Sequence, residues 1–334
     1  MQRRDFVSNS FAGGFAAAAP QQGSRRREAA GYDPTAFEVD TAIERRVSGK
    51  PHKGKMLAAI QPHCDDIPIF AGGTILKLID EGYEGILITL SNDSMAGNLN
   101  SDLDQTIRGD ATYGKIVKAN EDDTIEMGKR LGLKESLFLN YPNHNMDAWP
   151  IIEMRARLIF LFRAYKIDTV VVYDPSGLYE INPDHYVTAR AVEGAYWMSK
   201  SEWDYPEHFK AGLEPYGPNE AYYFALGPQL VNHVVDVSDF IEEKAYANMA
   251  NVTQGPSGDR GAALRRRLAR EGKKLPLLGN DDDTANREYT KQFALSRDRK
   301  RGQAHGLEYA EYYHYVGPDE SELQRYIDDN AESI

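Results

Sequence analysis

The chain has 334 residues, 41% of them hydrophobic, and a formal net charge of −12. That length and apolar content support one large core or two modest ones, a single domain being the preferred reading, and the acidity argues against a nucleic-acid binder, which normally presents a basic face. A single cysteine, Cys64, excludes an intrachain disulfide, and no stretch approaches the ~20 apolar residues of a membrane-spanning helix.

The start, MQRRDF, places Arg3 and Arg4 ahead of Phe6, Val7 and the weakly apolar FAGGFAAAAP. Over residues 1–22 this is similar to a bacterial twin-arginine export signal, with small residues at Ala17–Ala19 for cleavage. On that reading the protein is exported, periplasmic or extracellular; if the start is only an alanine-rich terminus, it is cytoplasmic. Residues 23–54 show little periodicity and read as an N-terminal arm or linker.

Core structure is expected from Lys55. Met56–Ile60 is a short apolar run of strand length, followed by His63, Cys64, Asp65 and Asp66. His63 and Asp66 are three apart, so one bend points both inward, with Asp65 between them reaching a bound water. Histidine nitrogen with carboxylate oxygen suits Zn2+, and a catalytic zinc keeps one position open for water. Gly72–Gly82 reads as a helix with Ile75, Leu76, Leu78 and Ile79 as its buried stripe, and EGILITLSND as a second buried strand ending in Asn92 and Asp93. Residues 94–117 carry no pattern and read as a loop over the strand ends.

Helical spacing returns from Ala119 to Leu131, LFLN (137–140) is a short strand, and 151–166 is an amphipathic helix. DTVVVYDP (168–175) is a buried strand, and SGLYEINPDH leads from it into a further helix. Pro183 and Asp184 fit that helix's first turn, which puts His185 at a second strand-to-helix junction. Residues 203–223, rich in Tyr, Pro and Trp, read as a loop capping the pocket. Two strands and a helix at Phe240–Met249 follow. Residues 254–304 are highly charged and read as an exposed insertion with one solvated helix, LEYAEYYHYV (307–316) packs aromatics around Glu308 and Glu311, and the acidic tail 317–334 is expected to fray. The alternation predicts an α/β fold with a Rossmann-like, doubly wound, mostly parallel sheet in a single domain spanning 55–316.

PHCDD followed by AGGTI, together with DPSGLYEINPDH, resembles the LmbE-like or PIG-L family of zinc-dependent de-N-acetylases, with their (A/P)HPDD and HPDH motifs. The resemblance runs from about Lys55 to Gln254 and includes KANEDDTIEMGKRLGL, with Lys118 where the family's helix has arginine. It implies zinc ligands at His63, Asp66 and His185, a general base at Asp65, an oxyanion-stabilising residue at Tyr179, and Asp184 as a partner in proton transfer. The implied substrate is a small N-acylated amino sugar or glycoconjugate, and homo-oligomerisation is left open. Three positions depart from the pattern: Cys64 replaces proline, and Asn182 and Asn251 stand where histidines are usual. These departures leave a second reading, a metal-holding, sugar-binding protein without turnover. A third, nucleotide binding at Gly72 and Gly73, falls far short of a dinucleotide fingerprint. Asn92, Asp93, Asn98, His305 and His314 remain polar residues without an assigned place, with Asp93 nearest the site by position.

Overall fold

The central strands are continuous apolar runs, which a sheet covered on both faces requires. In the computed structural model, which describes residues 41–95, 112–318 and 322–332, they form one eight-stranded sheet. The strands are β1 (Ala42–Glu44), β2 (Met56–Gln61), β3 (Glu84–Ser91), β4 (Glu135–Tyr141), β5 (Thr169–Tyr173), β6 (Glu220–Phe224), β7 (His233–Asp236) and β8 (Ala310–Val316), in the order β1-β7-β8-β6-β5-β2-β3-β4. Every pairing is parallel except those of β8, which runs antiparallel to both β6 and β7. Leu57, Ala58, Ala59 and Ile60 of β2 and Val170, Val171 and Val172 of β5 are fully buried.

Helices cover both faces: α1 (Asp66–Phe70), α2 (Gly72–Asp80), α3 (Thr112–Arg130), α4 (Ile151–Tyr165), α5 (Pro183–Met198), α6 (Pro206–Lys210), α7 (Ile241–Asn248), α8 (Arg260–Arg270), α9 (Asp282–Tyr289), α10 (Ser296–Ala304) and α11 (Glu322–Asn330). None of the described helices is long and apolar enough to cross a membrane. From β2 the chain builds β3 and β4 on one side, then returns to pair β5 against the other side of β2, in register Leu57↔Thr169 and Ala59↔Val171. The winding therefore reverses between β2 and β5, and ligands of open α/β sheets bind beyond the strand ends at such a reversal.

Four expectations need correction. The arm does not extend to residue 54: Ala42–Glu44 pairs with β7, and Glu44 is held by Lys77 (2.5 Å), His233 (2.5 Å) and the Tyr222 hydroxyl (3.0 Å). Burial opposes its charge, but His233 and Lys77 bring the Glu44 carboxyl down to about 2. Three residues are too few for a strand period to show in sequence. The 203–223 stretch does not cap the pocket. It packs at the other end of the sheet, where the Arg163 guanidinium donates to the carbonyls of Ser199, Ser201 and Asp204 and the Tyr216 hydroxyl donates to Asp168. The tail forms α11 rather than fraying within its described residues, and the export signal, Asn98 and most of the 94–117 loop fall outside the described residues.

The largest correction concerns 254–304. It contains three helices and one π-helical turn, and it is anchored by a buried cation: Lys244 Nζ on α7 donates to Asp298 of α10 (2.6 Å), Glu311 of β8 (2.5 Å) and the Ile69 carbonyl (2.8 Å). Glu311 also accepts the amides of Gly73 (2.9 Å) and Thr74 (2.8 Å) at the start of α2. Those amides are spent on a carboxylate of this chain, and a Cβ on Gly73 would lie 2.6 Å from Val237 Cβ, so the glycines serve close packing and not a nucleotide. Removing Lys244 strands two buried carboxylates. Lys244→Ala is expected to lose about 3–5 kcal/mol in chemical denaturation; a midpoint matching wild type would show that the network does not hold the C-terminal segment in place.

Candidate metal centre

The bend after β2 is built by side chains that grip its backbone. Asp66 Oδ2 accepts the His63 amide (2.9 Å), Asp93 Oδ2 accepts the Cys64 amide (3.0 Å), Gln61 Oε1 accepts the Ile67 amide (3.0 Å), and Asn251 Nδ2 donates to the Cys64 carbonyl (2.9 Å). Held this way, His63 and Asp66 face the end of the neighbouring β5. There α5 begins with Asn182 as its cap, accepting the Asp184 amide (3.0 Å), and Pro183 in its first turn. One turn of helix then delivers His185.

The two junctions meet. One donor atom each from His63, Asp66 and His185 lies within 4.8 Å of the others, and all three residues are buried. His63 Nδ1 and His185 Nε2 approach to 3.1 Å. On its far side His63 Nε2 lies 3.2 Å from Asp184 Oδ2, and His185 Nδ1 lies 3.1 Å from Glu180 Oε1. The Asp184 carboxylate accepts from His63 Nε2 and so turns Nδ1 toward the cluster, while Glu180 places a negative charge beside His185. The two facing ring nitrogens and the anionic Asp66 oxygen converge on one point. The donor set therefore fits a divalent metal ion, with His63, Asp66 and His185 as its protein ligands.

The surroundings tune these groups. The Tyr173 hydroxyl donates to Asp66 Oδ1 (2.7 Å) while its ring stacks on His185 with centroids 4.2 Å apart. Burial disfavours the Asp66 carboxylate, yet His185 and His63 hold it below its ordinary value. Burial also opposes charge on His63, but its contacts with Asp184 and Asp66 raise it well above an ordinary imidazole. Asp65 is half-buried on the cavity wall, where burial and the Asp66 charge push its carboxyl up to about 6. Gln254 Nε2 donates to its Oδ1 (3.4 Å), and Gly255, at φ +98°, passes so close that a Cβ there would meet Asp65 Cβ at 3.0 Å.

These residues open on a cavity of about 560 Å³, within the range of small-molecule sites. His63, Asp65, Asp66, His185, His144 and Tyr173 line one part of it; Ile69, Leu226, Pro256, Phe293 and Arg297 line another. Asp184, read from sequence as catalytic, instead sits fully buried behind His63, accepting the amides of His144 (2.7 Å) and Met146 (3.2 Å), and so acts as a positioning residue. Tyr179 is not brought to the cluster: it is 82% exposed, with φ +59°, and does not line the cavity.

Cys64 is buried, its thiol pushed well up by burial and 3.6 Å from Asn120 Oδ1, so it stays neutral and outside the ligand set. Asn182 accepts the Asp184 amide and also lines the cavity, and Asn251 donates to the Cys64 carbonyl while its Oδ1 is buried without a hydrogen-bond partner. Asp93 stands behind the bend, not in the cavity, and Lys118 pairs with Asp122 on the exposed face of α3. His305 meets the Tyr312 hydroxyl and His314 lies near Asp174. Sequence reading missed Tyr173, Glu180, His144 and Arg297. Tyr173 looked like core because it closes an apolar strand, although its position as the strand's last residue was a usable signal; the others lie on segments without a period.

With the geometry in place, comparisons with known proteins agree on its class. Residues 58–196 match the family described as PIG-L, GlcNAc-PI de-N-acetylase, a span that contains His63, Asp65, Asp66 and His185. Diacetylchitobiose deacetylase from Thermococcus kodakarensis is 26% identical over 204 residues, covering 60% of this chain and 71% of that one. N,N'-diacetylchitobiose deacetylase from Pyrococcus horikoshii shares the fold, with a TM-score of 0.61 at 23% identity over 80% of this chain and 88% of that one. The 4-carboxy-2-hydroxymuconate hydratase GalB from Pseudomonas putida KT2440 shares it too, with a TM-score of 0.55 at 17% identity over 80% and 98%. The fold is thus an LmbE-like α/β fold, and one that carries more than one chemistry. Residues 58–196 thus form a PIG-L-like (LmbE-like) region of the chain.

Because Asp184 orients His63 without touching the cavity, Asp184→Asn is expected to weaken metal affinity by about 10–100-fold while the protein remains folded. Chelator competition read by metal content checks this; unchanged affinity would remove Asp184 from the ligand-positioning role.

Proposed function

We propose that this protein is a zinc-dependent hydrolase that removes an N-acyl group, foremost acetyl, from an amino sugar or glycoconjugate. The observation that carries the reading is the His63–Asp66–His185 donor cluster lining the cavity, with the Asp65 carboxylate on the same wall one residue from Asp66. The deacetylase relative supports the reaction class and the sugar substrate. His63, Asp66 and His185 would hold the zinc, which would supply Lewis acidity toward an amide carbonyl and an attacking water.

Asp65 takes the proton from that water as its oxygen bonds to the amide carbon, and returns it to the nitrogen as the C–N bond breaks, leaving acetate and a free amine. The Gln254 contact keeps the Asp65 carboxylate aimed along the wall. His144, with its ring centroid 6.3 Å from that of His63, puts a further imidazole on the same wall, where Asn182 and Asn251 offer none. Tyr173, not Tyr179, is the tyrosine in contact with the ligand cluster, and it acts by holding Asp66 and His185.

Asp65→Asn is expected to retain metal and lose about 10²–10⁴-fold in acetate release from N-acetylglucosamine compounds. Chelation should abolish release and zinc should restore it. Metal-independent acetate release would sink the mechanism. Asn182 and Asn251 favour a second reading, a metal- and sugar-binding protein without turnover; it requires sugar binding with no Asp65-dependent acyl release across a broad amide panel.

A further inference from the structure

Beside its metal-competent residues the cavity carries a cation that has no ion-pair partner among the described residues. Arg297, in the first turn of α10, lines the cavity, and its Nη1 is buried without a hydrogen-bond partner. Its contact is with a ring: the guanidinium carbon lies 5.0 Å from the centroid of Phe70, which also borders the cavity. The carboxylate next to it in sequence is committed elsewhere, since Asp298 is held by Lys244 at 2.6 Å. Among the described residues no carboxylate forms an ion pair with Arg297.

A buried guanidinium atom without an acceptor is costly, because desolvation is not compensated. The arrangement also holds the group in place. Asp298 ties α10 to Lys244 on one side of Arg297, and Leu295, 1% exposed, packs with Ile241 and Ala245 on the other. Phe70 supports the guanidinium face, which leaves its edge donors for a ligand. A planar fork of donors matches carboxylate or phosphate oxygens, and Arg297 lines the same cavity as the metal-competent residues.

We propose that Arg297 is the specificity-determining residue of this site, selecting amino-sugar substrates that carry an oxyanion, a carboxylate or a phosphate, over neutral ones. This rests on the hydrolase reading for turnover, but recognition itself can be tested without turnover. The apolar surfaces of Ile69, Leu226 and Phe293 border the same space and suit the sugar's carbon face. No sequence period announced the residue: it lies in the charged 254–304 segment, outside the span shared with the family.

The test compares N-acetylglucosamine, N-acetylglucosamine 6-phosphate and N-acetylmuramic acid. Equilibrium binding is measured by calorimetry on zinc-loaded Asp65→Asn protein, with and without Arg297→Met or Arg297→Lys, and kcat/KM is measured on the same Arg297 variants in the wild-type background. The preference for an anionic over the neutral sugar is expected to fall about 10–100-fold in Arg297→Met and less in Arg297→Lys, which keeps the charge but not the fork. If the Met variant does not fold, the Lys variant carries the comparison. Dependence on Arg297 for only the phosphate or only the carboxylate supports the proposal and names the oxyanion. Neutral sugar bound as well as both anionic ones by the Arg297-containing protein, or a preference unchanged by substitution, overturns it. Arg297-dependent binding without acetate release would leave the inference standing and remove the hydrolase reading.

Discussion

The parallel pairing of β2 with β5 is the constraint on which the site depends. The two strands are not neighbours in sequence; between them the chain builds β3 and β4 and returns. Because they run the same way and lie side by side, their carboxyl ends open at one edge of the sheet, and the bend at His63–Asp66 meets the start of α5 at His185. An antiparallel arrangement would have sent the two histidines to opposite edges. Apolar burial of Leu57–Ile60 against Val170–Val172 thus fixes, to within side-chain reach, where the metal donors stand.

Around that junction, polar groups are arranged in layers. Asp184 and Glu180 stand behind the two rings, Tyr173 behind Asp66, and Asn182 and Asn251 behind the backbone that carries them. Such support is needed because buried imidazoles and carboxylates are otherwise free to choose other tautomers, protonation states and partners. It also gives the two asparagines a physical role. They stand where the family pattern has histidines, and here each hydrogen-bonds the backbone of one bend.

The C-terminal segment contributes in a way that its composition hides. A run with so many charges reads as solvated surface, since most charged side chains are exposed. Here one of them, Asp298, is buried against Lys244 and Glu311, and that pairing seats α10 over the cavity with Phe293 and Arg297 on its wall. The family span supplies the metal-competent wall; residues beyond it, Phe293 and Arg297 among them, complete the lining.

Much was legible before any coordinates. The strands β2, β3 and β5, the helices that follow them, and His63, Asp65, Asp66 and His185 were all readable, because apolar runs and short-range motifs are local properties of a chain. Three-residue β1, the role of Asp184, the exclusion of Tyr179 in favour of Tyr173, and the seating of α10 were not. Each depends on which distant residue lies across a gap of a few ångströms: Glu44 on Lys77 and His233, Asp184 on His63, Asp66 on Tyr173, Asp298 on Lys244. Sequence by itself determined the kind of fold and the donors for a metal. The tertiary structure alone decided which charges are buried together and that Arg297 faces the cavity, because burial and pairing are set by long-range packing that no local pattern encodes.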